Sequence, residues 1–208
     1  IGNSFFTQVI HGAEEVARKY NYTLFLGNSD SSFDIESQYL GKMLSHQIDG
    51  LLIAPMGHHS RESLEHVQKK GVPVVLIDAK VPGLKTDQVV GDNFKGGFKL
   101  TEHLIKVGHK RIALVSGRQD ISTTIERQKG FKGALKDYAL PFKPDYIVAT
   151  DFSRKEGYQA TQRLLSLKEP PTALVVLSNV LAVGVLEALR EAGMRVPDDM
   201  AVVCFEDI

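Results

Sequence analysis

Apolar residues recur along the chain in two spacings, one typical of helices and one typical of buried strands. Near the start, apolar side chains return every third or fourth position, at Phe6, Val9, Ile10, Ala13, Val16, Ala17 and Tyr20. This spacing predicts a helix with an apolar stripe that faces a core. Elsewhere the chain has short continuous apolar runs, such as VVLI at residues 74–77. Such runs indicate strands that are covered on both faces.

Helices and strands alternate along the whole chain. The predicted helices cover residues 4–20, 33–45, 61–70, 94–107, 124–137, 154–167 and 180–192. The predicted strands cover residues 22–26, 50–54, 72–77, 88–90, 111–115, 146–149, 172–177 and 201–205. Strands that alternate with helices across short connections form parallel sheets with right-handed crossovers. The pattern therefore predicts an α/β fold.

The length of the chain by itself allows one large domain or two lobes. With 208 residues, it has room for two bodies of about 100 residues, each with its own core. We expect two Rossmann-like, doubly wound parallel-sheet lobes, an N-terminal lobe of residues 1–92 and a C-terminal lobe of residues 93–208. Ligands of such sheets bind outside the carboxyl ends of the strands.

Charge and cysteine content exclude several classes of protein. Basic and acidic residues number 25 each, so no overall field attracts DNA or an anionic membrane to this segment. Cys204 is the single cysteine, which excludes an internal disulfide framework. Ser178, Asn179 and Glu187 interrupt the most apolar stretch, residues 173–189, which is too short and polar to span a bilayer.

The loops after the predicted strands carry acids, amides, hydroxyls and aromatic rings. Examples are Asp78, the Asp92 and Asn93 pair, and Glu206. This mixture suits a hydroxyl-rich or heterocyclic ligand. For any single Asp or Asn, a helix cap is an equally good interpretation. Phe5 lies about 100° from the apolar stripe of the first helix, so it can serve as a stacking platform or pack under a loop.

No residue pattern indicates catalysis, a cofactor or a metal. The chain has neither a GxGxxG turn after a strand nor a GxxxxGK sequence followed by Ser or Thr, which are the usual nucleotide cradles. His58 and His59 are adjacent but have no close set of carboxylates or cysteines in sequence, so no metal site is expected. The sequence predicts a binding protein and not an enzyme.

Several strings closely resemble the effector domain of LacI/GalR transcriptional repressors. The strings are NSFFTQVIHGAEEVARKYNYTLFLGNSD (3–30), QIDGLLIAP, VPVVLID, VVGDNFKGG, TEHLIKVGHKRIALVSG (101–117) and LREAGMRVPDDMAVVCFEDI (189–208), in the order expected for that family. The likeness covers essentially the whole chain. Periplasmic sugar-binding proteins share the fold but do not usually carry the GHKRIA and VPDD strings.

The resemblance implies a periplasmic-binding-protein-like fold with a small-molecule effector, a sugar or related metabolite, bound between the lobes. It also implies a cytoplasmic homodimer that binds operator DNA through a helix-turn-helix domain before residue 1. Family members carry a strand before the position of Ile1 and further strands after Ile208. We therefore expect a fragment that lacks the first strand, the crossover back to the first lobe and the DNA-binding head.

The resemblance also implies a set of effector-facing positions. These are Phe5, Phe6, Asp78, Asp92, Asn93, Thr123, Arg127, Phe152, Ser178, Asn179 and Glu206.

Four residues depart from the pattern of the family. Ser178 and Asn179 stand where Asn and Asp are usual, Glu206 stands where Asp is usual, and Ile125 stands where many sugar-binding members have Arg. The departures at Ser178 and Ile125 remove charge-assisted hydrogen bonds to sugar hydroxyls, worth about 1.5 to 3 kcal/mol each. Alternatively, Arg118 or Arg127 supplies the charge from a neighbouring position.

Two other functions fit the same fold. An exported solute-binding protein would deliver its ligand to a transporter, and a signal peptide upstream would reveal it. An enzyme on the same scaffold would need a titratable pair in catalytic geometry.

Overall fold

The computed structural model describes residues 4–206, and helices alternate with strands along that part of the chain. The α-helices are α1 (Ser4–Lys19), α2 (Phe33–Ser45), α3 (Arg61–Lys69), α4 (Asn93–Lys106), α5 (Ser122–Asp137), α6 (Arg154–Leu165) and α7 (Asn179–Glu191). The strands are β1 (Leu51–Ile53), β2 (Val74–Ile77), β3 (Asp87–Val89), β4 (Ile112–Ser116), β5 (Ile147–Ala149), β6 (Ala173–Val176) and β7 (Ala201–Cys204). Short 3₁₀ turns cover His58–Ser60 and Pro144–Tyr146.

The chain forms two compact units, one ending at Val90 and one beginning at Gly91. In the first unit the strand order is β1-β2-β3, and in the second it is β5-β4-β6-β7. Every pair of neighbouring strands is parallel. This confirms the predicted α/β fold with two parallel sheets. No helix within residues 4–206 is both long and apolar enough to cross a membrane.

Strands β4 and β6 form the centre of the second unit and are buried on both faces. Successive strand residues point to opposite faces. Accordingly, Val115 and Val176 pack into one apolar cluster, while Leu114 and Val175 pack into another. Helices α6 and α7 cover the first cluster, and α4 and α5 contribute to the second. The continuous apolar runs in the sequence therefore mark strands between two helical layers, as predicted.

Helices α4 and α5 pack at very close range. A Cβ atom placed on Gly97 of α4 would lie 2.2 Å from the backbone oxygen of Arg127 in α5. Only a residue without a side chain permits this approach. The contact brings the middle of α5 against α4, and it thereby sets the position of Arg127.

The first unit has a smaller core on its three-stranded sheet. Its buried members are Leu40, Leu51, Leu64, Val67, Val74, Leu76 and Val81, contributed largely by α2, α3, β1 and β2. No residue of α1 belongs to this cluster of described residues, and Val16 and Tyr20 are exposed. The apolar stripe of the first helix was predicted to be buried, but its residues are half-buried or exposed. A helix buries its apolar face only where another element covers it.

The predicted strand at residues 22–26 is wrong. This segment forms no ladder with any described strand. Tyr22, Phe25 and Leu26 are 59%, 72% and 53% exposed. A high strand propensity reflects packing and pairing with neighbours, and no neighbouring strand among residues 4–206 supplies them here. Elsewhere the predicted bounds differ from the observed ones by at most two residues at either end, a normal uncertainty for element ends.

Candidate functional site

Polar side chains gather at the carboxyl edge of the sheet in the second unit. Leu177 and Glu206 follow β6 and β7, and the same edge receives the first turns of α4, α5 and α7. Since all four strands are parallel, their carboxyl ends meet at one side. This is the edge at which open α/β sheets bind ligands.

Arg127 is the centre of this cluster. Its side chain is 8% exposed. Its Nε donates a hydrogen bond of 2.8 Å to Asn93 Oδ1, and its Nη1 donates one of 2.7 Å to the carbonyl oxygen of Leu177. These bonds compensate for the burial of a charge. Through them, one guanidinium joins α5 to the start of α4 and to the end of β6.

Phe205 covers the guanidinium of Arg127. The central carbon of that group lies 3.5 Å from the centre of the phenyl ring, a cation–π contact. Sequence reasoning missed this residue. The available signal was an aromatic side chain directly before the acidic Glu206, at the end of the predicted last strand.

Glu206 is the acid of the cluster. Its side chain is 16% exposed, and its Oε1 lies 3.9 Å from Arg127 Nη1. Its Oε2 accepts a long hydrogen bond of 3.5 Å from the backbone N–H of Asn179. Both contacts are longer than the strong charge-assisted bonds of proteins, which are about 2.7 to 2.9 Å. Neither of these two contacts is therefore a strong charge-assisted hydrogen bond.

Asn179 and Ser178 begin α7 next to Glu206. Ser178 is buried at the N-cap position, but its side chain makes no capping hydrogen bond. Asn179 Oδ1 is buried, and no described residue donates a hydrogen bond to it. A buried acceptor without a donor typically costs about 1 to 3 kcal/mol. The hydrogen bonding within the described part of this site is therefore incomplete.

Asp92 and Asn93 have different roles. Asp92 is exposed, and its Oδ1 accepts a 3.0 Å hydrogen bond from the backbone N–H of Lys95 as the N-cap of α4. This is the helix-cap alternative that the sequence left open. Asn93 is buried, accepts from Arg127 and donates to the Gly91 carbonyl oxygen at 3.2 Å. Of the two, only Asn93 belongs to the cluster around Arg127.

Thr123 and Phe152 complete the predicted positions of the second unit. Thr123 is buried in the first turn of α5, one turn before Arg127. Phe152 is half-buried in the loop after β5 and packs against the apolar cluster under α6 and α7. Neither is bonded to Arg127 by any contact described above, so their role as effector contacts stays a prediction.

The remaining predicted positions lie in the first unit. Phe5 is 38% exposed in the first turn of α1, and its ring stands at 73° to that of Phe6, with 5.2 Å between the ring centres. Asp78 follows β2 with a φ of 64°, and its backbone N–H donates to the Val89 carbonyl oxygen. A positive φ is uncommon outside glycine, although Asp adopts it more readily than most residues.

Neighbouring groups shift the pKa values of Arg118 and Cys204. Arg118 donates from Nε and Nη2 to the two carboxylate oxygens of Asp120, at 3.1 and 2.6 Å. These bonds raise the pKa of the guanidinium. Of the two arginines considered as substitutes at Ile125, it is therefore Arg127 that lies in the cluster with Glu206.

Burial raises the pKa of the Cys204 thiol, which makes this side chain a poor nucleophile.

Comparison with known proteins identifies a family that this chain matches. Residues 2–208 match the family described as periplasmic binding proteins and sugar binding domain of LacI family. The chain is 33% identical over 205 residues to the HTH-type transcriptional repressor PurR of Haemophilus influenzae (strain PittEE), covering 98% of this chain and 60% of that protein. It is 34% identical over 208 residues to catabolite control protein A of Priestia megaterium, covering 100% of this chain and 62% of that protein.

A solved structure shows the same architecture. The LacI family transcriptional regulator from Enterococcus faecium, crystallised with bound ribose, superposes with a TM-score of 0.84 at 32% identity. The match covers 97% of this chain and 73% of that chain. The chain thus spans about three fifths of the length of the two curated relatives.

Proposed function

The chain belongs to the family of periplasmic binding proteins and LacI-type sugar-binding domains, and from this membership we propose that it is the effector-sensing part of a transcriptional repressor. The HTH-type transcriptional repressor PurR and catabolite control protein A are among its relatives. These relatives favour regulation over solute transport. We propose binding, and not catalysis, as the chemical task of the site.

One observation carries the proposal, the polar cluster of Asn93, Arg127 and Glu206 at the carboxyl edge of the second sheet. Two tight hydrogen bonds hold the guanidinium in place. The Glu206 carboxylate lies beside it, and Asn179 Oδ1 is buried without a hydrogen-bond donor among the described residues. A guanidinium held in place beside a carboxylate and a buried amide oxygen that has no described donor is suited to recognise a small polar molecule.

The chemistry of the cluster favours an effector that donates hydrogen bonds. Glu206 and Asn179 Oδ1 are acceptors, and carboxylate or amide oxygens pair with hydroxyl or N–H groups. We propose a sugar or a related hydroxyl-bearing metabolite. Phe5, Phe6, Asp78, Asp92, Thr123, Phe152 and Ser178 remain further proposed contacts.

The partners follow from the relatives and are proposals for the whole protein. Effector binding would change the affinity of a homodimer for operator DNA, with a helix-turn-helix domain supplying the DNA contacts. A repressor acts on chromosomal DNA, so we propose a cytoplasmic location.

A ligand screen on this chain tests the effector site. Purified chain is heated with D-ribose, D-glucose, cellobiose, hypoxanthine and guanine in turn, and the melting temperature is measured. A ligand present at 100 times its Kd adds about 2.7 kcal/mol of stability. For a protein of this size, that corresponds to a rise of about 5 to 10 °C.

Matched glutamate variants locate the binding. Glu206→Gln removes the negative charge of the cluster, and we expect it to reduce the ligand-induced rise in melting temperature strongly. Glu169→Gln changes an exposed glutamate that pairs with Lys143 away from the cluster, and we expect the rise to stay unchanged. If both variants respond like the wild type, or if no compound binds the folded chain, the proposed site is wrong.

A further inference from the structure

Phe205 is held in place from two sides within the second unit. Its backbone N–H donates a hydrogen bond of 3.0 Å to the Val176 carbonyl oxygen, which continues the pairing of β6 and β7 by one residue. One edge of its ring faces Gly96 of α4, where an added Cβ would lie 2.4 Å from Phe205 Cε2. A side chain at residue 96 would therefore push the ring away. The sheet and α4 together fix where the ring lies.

The face of this ring contacts the guanidinium of Arg127. The central carbon of the guanidinium lies 3.5 Å from the ring centre, and such a cation–π contact is strongest where water is excluded. The hydrogen bonds to Asn93 Oδ1 and to the Leu177 carbonyl oxygen leave the edge of the guanidinium, since its N–H groups lie in its plane. These bonds resist movement within the plane, and the ring blocks movement out of the plane on one side. An aliphatic side chain would fill the same volume without attracting the cation.

The guanidinium in turn fixes the backbone that leads to Asn179. It donates to the carbonyl oxygen of Leu177, two residues before Asn179 at the start of α7. Asn179 Oδ1 is buried, and it has no hydrogen-bond donor within residues 4–206. The residues around a ligand-binding group must hold it within about 0.5 Å of its productive position. The position of this acceptor therefore depends on the contact between Phe205 and Arg127.

We propose that Phe205 is a positioning residue for effector recognition and that it acts through Arg127. The proposal rests on the effector-binding function proposed above, and it concerns the second unit alone. The ring does not bind the effector. It holds the guanidinium against Asn93 and Leu177, and this keeps Asn179 Oδ1 where a hydroxyl or N–H group of the effector donates to it.

Calorimetric titrations of ring variants test the effect on binding. The wild-type chain, Phe205→Leu and a chain with pentafluorophenylalanine in place of Phe205 are titrated with D-ribose, D-glucose and cellobiose. Fluorination reverses the charge distribution of the ring with little change in its shape, so the ring no longer attracts a cation. We expect binding of the recognised sugar to weaken about tenfold in Phe205→Leu and about fivefold in the fluorinated chain, in keeping with the strength of cation–π contacts.

Nuclear magnetic resonance tests the positioning of Arg127 directly. Its Nε–H donates to Asn93 Oδ1 inside the protein, so we expect this proton to exchange slowly with water and to give a resonance that the neighbouring ring shifts. Phe205→Leu should remove the ring shift and speed the exchange about tenfold, because a looser guanidinium opens more often. Fluorination of Phe205 should speed the exchange as well. A ring that only filled space would leave the exchange unchanged on fluorination, because its shape is kept.

Phe142 offers a matched control in the same unit. It is 45% exposed in the loop after α5, and Lys132 Nζ lies 5.1 Å from its ring centre. Fluorination of Phe142 should change neither the affinity for the sugar nor the exchange of the Arg127 Nε–H.

Gly96→Ala displaces the Phe205 ring without removing it. It should weaken binding about fivefold through the disturbed cation–π contact, although alanine favours the helix more than glycine does. The loss of affinity would then not come from a weaker α4.

Each outcome decides a different point. If the fluorinated chain and Phe205→Leu both bind like the wild type, the inference is overturned and the proposed function stands. If affinity falls while the Arg127 Nε–H exchanges as in the wild type, Phe205 acts by another route, and the inference is also overturned. If Phe205→Leu does not fold, the fluorinated chain and Gly96→Ala decide in the same way. If none of the three sugars binds the folded wild-type chain, the proposed function is contradicted, and this inference falls with it.

Discussion

Replacing Arg127 by Met should destabilise the second unit more than any exposed arginine substitution. The side chain is nearly buried and joins three elements through Asn93 Oδ1 and the Leu177 carbonyl oxygen. Met has a similar length and remains apolar under the ring of Phe205. The substitution therefore removes the charge and both hydrogen bonds with little change in packing volume.

The expected magnitude follows from these contacts. Hydrogen bonds from a charged donor are worth about 1.5 to 3 kcal/mol each, and each buried acceptor left without a donor costs about 1 to 3 kcal/mol. Removing a buried charge returns part of its desolvation cost. We expect a net loss of about 2 to 5 kcal/mol in the free energy of unfolding of the second unit.

Native-state hydrogen exchange measures this loss where it should occur. The backbone amides of β6, which is wholly buried, report the opening of the second unit. Arg163→Met is the matched control, since Arg163 lies exposed on α6, and surface changes of this kind usually stay within about 0.5 kcal/mol. Combining Arg127→Met with Asn93→Leu should cost less than the sum of the two single changes, by at least about 1 kcal/mol.

Two results would refute this reasoning. If Arg127→Met and Arg163→Met slow or speed exchange in β6 equally, the guanidinium does not stabilise the unit. If the losses at Arg127 and Asn93 simply add, the two side chains are not coupled by the hydrogen bond seen between them.

Two further predictions concern glycine and pH. Gly97→Ala should lower the free energy of unfolding, measured by urea denaturation, by about 1 to 3 kcal/mol, because its Cβ would collide with the Arg127 carbonyl oxygen. Gly41→Ala, on α2, adds a Cβ with no atom within 4 Å apart from its chain neighbours and its own helix backbone, and it should raise the free energy of unfolding by about 0.5 to 1 kcal/mol. A fall for both variants would contradict the close approach of α4 and α5. Burial raises the pKa of Glu36 above 4.5, so the folded state binds its proton more tightly than the unfolded state. Its contribution to stability is full below pH 4.5 and is lost as pH rises through the raised pKa. The difference in unfolding free energy between wild type and Glu36→Gln should therefore fall over that range, and a difference independent of pH would contradict the burial of the carboxylate.

Most of the fold was predictable because its signals are local. The apolar runs at β4 and β6 and the helical spacing of α4 to α7 place each element within two residues of its observed position. Polar residues after the strands predicted the carboxyl edge as the binding side. The prediction of a strand at residues 22–26 was wrong, because an apolar run carries no information on whether a partner strand lies beside it.

What the sequence by itself determined is the order and kind of the elements, since hydrophobic periodicity depends on residues a few positions apart. Only the tertiary structure decided which distant side chains meet. Arg127 lies 34 residues from Asn93 and 50 from Leu177, and Glu36 lies 24 from Ser60. No local pattern encodes such contacts, because they depend on how helices approach across a sheet. Tertiary packing therefore decides which side chains meet in the candidate site, while the sequence decides which residue types are available for it.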